Sequence, residues 1–296
     1  MKKTLTILAL AALTAAAAHA EDRFAVKAHV DFGIGSPYSV KSAIKDITSS
    51  GKHSNDYGVD FGYTFMKLGA FRLSANTGIC ITPGNQTLVA GPMDYNYATD
   101  GSADKDGNAY IRYTETGSIS QKYNTTQLTV PLYADVDWRL HRRLSLFAQA
   151  GVRFGFNVNS KTSATSGTVS SYGVYPEYGD LVIDDDYIND FGTREVTSEM
   201  SGKVSARKFI PQLMIGFGAR ANIWKPLWAE LNIGYRYGGN VLRCAGTKFG
   251  DGTVDADEAL ITYTPEDGTS LKSLSRALKS NNVSQFVVSI GLIYKF

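Results

Sequence analysis

Phe286–Phe296, FVVSIGLIYKF, is apolar at every second residue: Phe286, Val288, Ile290, Leu292, Tyr294 and Phe296. Successive side chains leave a strand on opposite faces, so strict alternation of this kind describes a strand with one face in an apolar medium. Seven more segments keep the same period, at 24–34, 57–65, 71–81, 128–140, 144–158, 209–223 and 227–237. Across the eight, the apolar-phase positions number 52 and none is charged, although 20% of the chain is Asp, Glu, Lys or Arg and about ten charges would fall there at random. The 44 intervening positions hold twelve: Lys27, Asp31, Asp60, Arg72, Asp135, Asp137, Arg139, Arg153, Arg220, Glu230, Arg236 and Lys295. One face rejects charge and the other collects it.

No stretch after the N-terminus is long and apolar enough for a membrane helix, so a closed β-barrel is the structure left to satisfy its backbone in lipid. The segments are separated by 22, 5, 46, 3, 50, 3 and 48 residues. Such alternation of long and short connections is the pattern of an up-and-down transmembrane barrel with long extracellular loops and tight periplasmic turns. The expected fold is therefore all-β, with eight antiparallel strands and four long extracellular loops. Eight strands enclose a space that side chains fill. With seven basic and five acidic inward positions, the interior reads as a paired charge network plugging the lumen. Trp138, Trp224 and Trp228 fall at the short-turn end, where an interfacial aromatic girdle is expected.

Residues 1–20 read as a secretory signal peptide: Lys2 and Lys3, an apolar run from Leu5 to Ala18, and Ala18-His19-Ala20 at the cleavage site. The expected mature chain, 21–296, is a single barrel domain. Removing the two signal lysines leaves 28 basic and 28 acidic residues, a balance that offers nothing to nucleic acid.

The terminal aromatic of FVVSIGLIYKF resembles the C-terminal signal by which outer-membrane barrels are recognised for assembly. Thr126–Trp138, TQLTVPLYADVDW, with Val-Pro-Leu in mid-strand, is similar to the Ile-Pro-Leu strand of PorT-like barrels, and Leu146–Asn157, LFAQAGVRFGFN, to the Gly-rich strand that follows it. The chain thus resembles the outer-membrane β-barrel family of Gram-negative bacteria, which includes PorT-like and OmpA/OmpX-type eight-stranded barrels. The resemblance implies a place in the cell outer membrane, contact with outer-membrane lipid, and engagement of the barrel-assembly machinery through the last strand. It also implies a monomer.

Four long connections total 166 of the 276 mature residues, and connections of this length are usually functional or disordered. The second carries Tyr95, Tyr97, Tyr110, Tyr113 and Tyr123, and the third Tyr172, Tyr175, Tyr178 and Tyr187. Tyrosine among Ser, Gly and Asn is the composition of adaptable binding surfaces. Tyr95, Tyr97, Tyr110, Tyr172, Tyr175 and Tyr178 are the candidate ligand-binding residues; the alternative is that Tyr and Thr extend the hairpins above the membrane as β-ribbons. In the fourth connection, Leu271, Leu274 and Leu278 have helical spacing within Ser270–Ser280, which predicts a short amphipathic helix capping the barrel mouth or lying on the membrane. Val40–Ile47 suggests a similar, shorter helix.

Cys80 and Cys244 lie in a compartment where disulfides persist, and a bridge across the barrel rim is one reading. The acidic runs Asp184-Asp185-Asp186 and Asp251, Asp255, Asp257, Glu258 lack EF-hand spacing, so solvated loop charge is expected rather than calcium. After signal removal only His29, His53 and His141 remain, and neither a Gly-x-Ser-x-Gly elbow, a metal-binding His pair nor a phosphate loop is present. No cofactor is expected. The leading functional expectation is a non-enzymatic barrel displaying its loops for surface interaction or envelope integrity. The alternatives are a small-solute channel or export accessory, and a soluble secreted barrel with its apolar face inside.

Overall fold

The computed structural model describes residues 23–42, 47–52, 55–97, 106–184, 191–197, 206–244, 261–264, 268–271 and 273–296. The expected signal peptide, the calcium-like run at 251–258 and Tyr187 lie outside the described residues. Eight long strands form one closed ring: β1 (Phe24–Ile34), β2 (Asn55–Leu68), β3 (Phe71–Ala90), β4 (Ile119–His141), β5 (Leu144–Ser166), β6 (Phe209–Trp224), β7 (Leu227–Asn240) and β8 (Leu278–Lys295). Each pairs antiparallel with its neighbours in sequence, and β1 closes on β8 through a register that runs from Ala25 opposite Lys295 to Ile34 opposite Phe286. Closure leaves no open edge in the membrane. Gly69 and Ala70, Arg142 and Arg143, and Lys225 and Pro226 form two-residue turns at one end.

The apolar phase of every strand points outward. Leu213 and Ile215 are each 60% exposed and Phe217 is 64% exposed, while inward Gln212, Arg220, Glu230 and Arg236 are buried. That polarity is the reverse of a soluble barrel's, whose apolar face would be inside, and it needs a lipid solvent. The tryptophans divide. Trp138 and Trp224 face outward at the short-turn end, but Trp228 is buried inside the barrel, where the Lys295 ammonium lies 4.4 Å from its ring centroid. Its position opposite Asn222 and Ile293 puts it on the inward phase, so it is not part of the girdle.

The barrel is taller than the membrane. A spanning strand needs about 9–11 residues, yet β4 and β5 have 23 residues each. The first connection continues the wall upward, with Tyr38–Ser42 pairing with β8 and Ile47–Lys52 with β3. The helix considered over Val40–Ile47 is therefore absent where the chain is described: both flanks are extended. Connections two and three build a second, five-stranded sheet in which Leu181–Ile183, Thr168–Tyr175, Ile111–Thr116 and Met93–Tyr97 lie in order, with Gly192–Glu195 also paired to Thr168–Tyr175.

Candidate functional site: the lumen and its mouth

The inward phase brings charges from distant strands to hydrogen-bond distance. At the periplasmic end, Arg220 Nε donates to Glu230 Oε2 at 2.8 Å, and its Nη1 donates to Asp135 Oδ1 at 3.2 Å and Asp137 Oδ2 at 3.3 Å. The guanidinium also lies 4.0 Å from the Phe147 ring centroid. One layer up, Lys27 Nζ donates to Tyr133 Oη at 2.7 Å and Glu230 Oε1 at 3.3 Å, and it lies 3.2 Å from Asp60 Oδ2. Tyr133 Oη donates to Asp60 Oδ2 at 2.7 Å. Above these, Arg236 bridges Asp31 and Asp56, with Nη1 2.5 Å from Asp56 Oδ2, while Arg153 Nη2 donates to the same oxygen at 2.6 Å. Ser289 Oγ donates to Asp31 Oδ1 at 2.5 Å.

Buried charges are tolerated when paired, and each of these charges has an opposite partner, although Asp56 Oδ1, Asp60 Oδ1, Asp137 Oδ1 and Arg153 Nε make no hydrogen bond among the described residues. Cavities of about 30 and 40 Å³ remain within the network, room for about two or three water molecules each. Asp56 escaped the sequence reading because it stands one residue before the second segment's first apolar position, Tyr57.

One row of the network has a different chemistry. His29, Gly58 and Cys80 occupy register positions across three adjacent strands, His29 opposite Gly58 and Gly58 opposite Cys80. Cys80 Sγ lies 3.7 Å from His29 Nε2, and Asp60 Oδ2 lies 3.3 Å from that same nitrogen. The other ring nitrogen, Nδ1, donates to Asp31 Oδ1 at 2.8 Å. The sequence contains no metal-binding His pair, and the meeting of these side chains is a product of register.

The mouth is closed by apolar packing. Leu274, Ala277 and Leu278 are fully buried with Leu88, Ile119, Tyr123 and Leu242. The Leu274 N–H donates to Gln121 Oε1 at 2.8 Å, and Tyr123 Oη donates to the same oxygen. The capping position expected for the fourth connection is correct, but its helix is not. Leu274–Ala277 is one 3₁₀ turn, Gly268–Leu271 is strand, and Leu278 already belongs to β8.

The candidate tyrosines separate by position. Tyr110 (6% exposed) and Tyr175 (2%) pack with Phe191 inside the loop sheet, so these two act as its core rather than as a free binding surface. Tyr172 stacks on its register partner Tyr113, with centroids 5.2 Å apart. Tyr178 is 57% exposed and donates to Asn108 Oδ1 at 2.9 Å. Tyr95 and Tyr97 lie on strand Met93–Tyr97, and their side chains are outside the described residues. The bridge between Cys80 and Cys244 is not formed. Both are free: Cys80 faces the lumen beside His29, whereas Cys244 donates to the Leu242 carbonyl at 3.5 Å. Burial pushes the Cys244 thiol up to about 11.

A closed ring of eight strands, apolar outside and charged within, is a transmembrane β-barrel. The family profile of the outer membrane protein beta-barrel domain matches residues 25–238, and the chain belongs to that family and is a protein of the cell outer membrane. Among solved structures it is similar to the outer membrane protein OprG from Pseudomonas aeruginosa, at 9% identity over 93% of this chain and 96% of that one, TM-score 0.41. It is also similar to the NanC porin, at 9% identity over 92% and 100%, TM-score 0.23. A third likeness is to the translocator domain of autotransporter NalP from Neisseria meningitidis, at 12% identity over 100% and 97%, TM-score 0.25. Comparison with curated proteins found no match.

Proposed function

We propose that this barrel is a non-enzymatic display scaffold whose loop sheet binds a protein partner outside the cell. The observation that carries the reading is the sheet's outer tip, where Tyr178, Leu181 and Val182 are each at least half exposed beyond the barrel wall. Leu181–Ile183 also ends the strand order of the loop sheet, and an apolar strand in that position is a template for strand addition by a partner. The buried Tyr110, Tyr175 and Phe191 hold the tip rigid from beneath, which lowers the ordering cost of binding. A conducting role has less support, because ion pairs fill the lumen and the Leu274 cluster fills its mouth.

The test compares cells carrying the parent barrel, the triple variant Tyr178→Ser, Leu181→Ser, Val182→Ser, and no barrel. The variant should reach the surface as a heat-modifiable folded barrel and preserve envelope resistance to detergent, yet lose the attachment that the parent supports. A folded variant that attaches as well as the parent, in a strain where deletion abolishes attachment, refutes the tip as the binding surface.

A further inference from the structure

We propose that His29, Cys80 and Asp60 form a lumenal binding site for a divalent transition cation of borderline softness, such as Zn²⁺, reached from the periplasm. A tetrahedral zinc with nitrogen, oxygen and sulfur ligands at about 2.0–2.3 Å has ligand-to-ligand edges of about 3.3–3.8 Å. Two edges already meet this, with His29 Nε2 at 3.7 Å from Cys80 Sγ and 3.3 Å from Asp60 Oδ2. All three ligand atoms lie within 4.8 Å of one another, so the last edge closes with a turn of the thiol.

The surroundings fit the same purpose. Asp31 holds His29 Nδ1, the carboxylate–histidine arrangement that fixes the orientation of a ligating ring, and Nε2 is turned toward Asp60 and Cys80. Gly58 stands between the two ligands in the row. A Cβ there would come within 2.5 Å of His29 Nε2 and 2.6 Å of Cys80 Sγ, so glycine provides the cradle in which they meet. The 30 Å³ cavity is lined by all three ligands, giving space for a cation and a fourth, solvent-derived ligand.

Lys27 is the competing cation, 3.2 Å from Asp60 Oδ2. It has a second carboxylate at 3.3 Å in Glu230 and can retain that partner as the metal takes Asp60. Asp60 Oδ1 is buried with no hydrogen-bond partner among the described residues, so the carboxylate has spare acceptor capacity. Binding forms metal–sulfur, metal–nitrogen and metal–oxygen bonds, breaks the Cys80 S–H bond and the His29 Nε2–H bond that faces Asp60, and releases both protons to water. The route is from below. The second cavity shares Lys27, Asp60 and Tyr133 with the first and extends to Arg23, Arg72 and Lys295 at the periplasmic rim, whereas the Leu274 cluster closes the other end.

The experiment is titration of the folded, metal-free barrel in detergent with Co²⁺, a spectroscopic stand-in for Zn²⁺. One equivalent should produce a thiolate-to-cobalt charge-transfer band in the near ultraviolet, displaced by Zn²⁺. The band should persist in Cys244→Ser and vanish in Cys80→Ser. His29→Gln and Gly58→Ala should each weaken binding by tenfold or more, and Asp31→Asn by about 10–100-fold. Absence of the band in the parent protein, which needs no variant to interpret, overturns the site. So does a band that survives Cys80→Ser. A band that needs Cys80 but keeps its affinity in folded His29→Gln reports a lone thiol and also overturns it.

Discussion

Replacing Arg220 with methionine isolates what the lumen's charge network contributes. The guanidinium touches three carboxylates, Glu230 at 2.8 Å, Asp135 at 3.2 Å and Asp137 at 3.3 Å. In Arg220→Met, Glu230 keeps Lys27 at 3.3 Å and Asp135 keeps Asn76 at 2.8 Å, but Asp137 loses its Arg220 contact and keeps Lys295 at the longer distance of 3.8 Å. The methionine stem preserves contact with Phe147, so the loss is electrostatic rather than steric. Breaking a buried ion cluster by removing one partner costs roughly 3–5 kcal/mol. With a urea slope of about 2–3 kcal/mol/M, the unfolding midpoint falls by about 1–2 M. In a water-filled pore the same pairs are worth at most about 1 kcal/mol, a shift below about 0.5 M. The assay is the urea dependence of the folded band in cold-SDS electrophoresis of the purified barrel. Adding Asp137→Asn to Arg220→Met should recover part of the loss by removing the stranded charge. A midpoint within about 0.5 M of the parent's would refute the reasoning that the network is buried and stabilising.

Phe217→Arg places a charge on the lipid face near mid-strand and should cost about 2–4 kcal/mol, visible as reduced insertion into vesicles; Gln212→Arg, which points into the lumen, should insert better, and equal insertion would mean the facing is wrong. In a Cys80→Ser, Cys244→Ser background, Tyr178→Cys should react with a membrane-impermeant maleimide on intact cells and Arg142→Cys should not; the opposite result inverts the topology. Cys244, whose thiol is raised to about 11 by burial, should stay protonated and slow to react at neutral pH. Its labelling rate should climb only as pH approaches that value, and rapid labelling near pH 7 would show that the residue is not packed as described.

The eight membrane strands were legible because lipid imposes one rule on every outward position, and that rule survives without knowledge of the partners. Above the membrane the rule lapses. Ser120–Thr126, SQKYNTT, continues β4 with polar residues in both phases, so its period carried no signal and the strand read as loop. The loop sheet was invisible for a related reason: Tyr113 meets Tyr172 through pairing between two separate connections. Leu274 and Leu278 were correctly read as a cap, since apolar residues in a polar connection need somewhere to go. Their helical spacing misled because β8 begins at Leu278. The charges were legible as inward but not as partners, and the meeting of His29 and Cys80 depends on a glycine in the strand between them. Trp228 shows the cost of reading by height alone, for its end of the barrel was right and its phase decided its face.

Planar-bilayer recording of the purified barrel tests most directly whether this is a plugged scaffold. The packed lumen and the Leu274 cap predict no stable ohmic conductance under voltage, in the parent protein and in the triple tip variant alike. A reproducible open channel in the folded parent barrel would contradict the closed lumen and move the protein to the solute-conducting class.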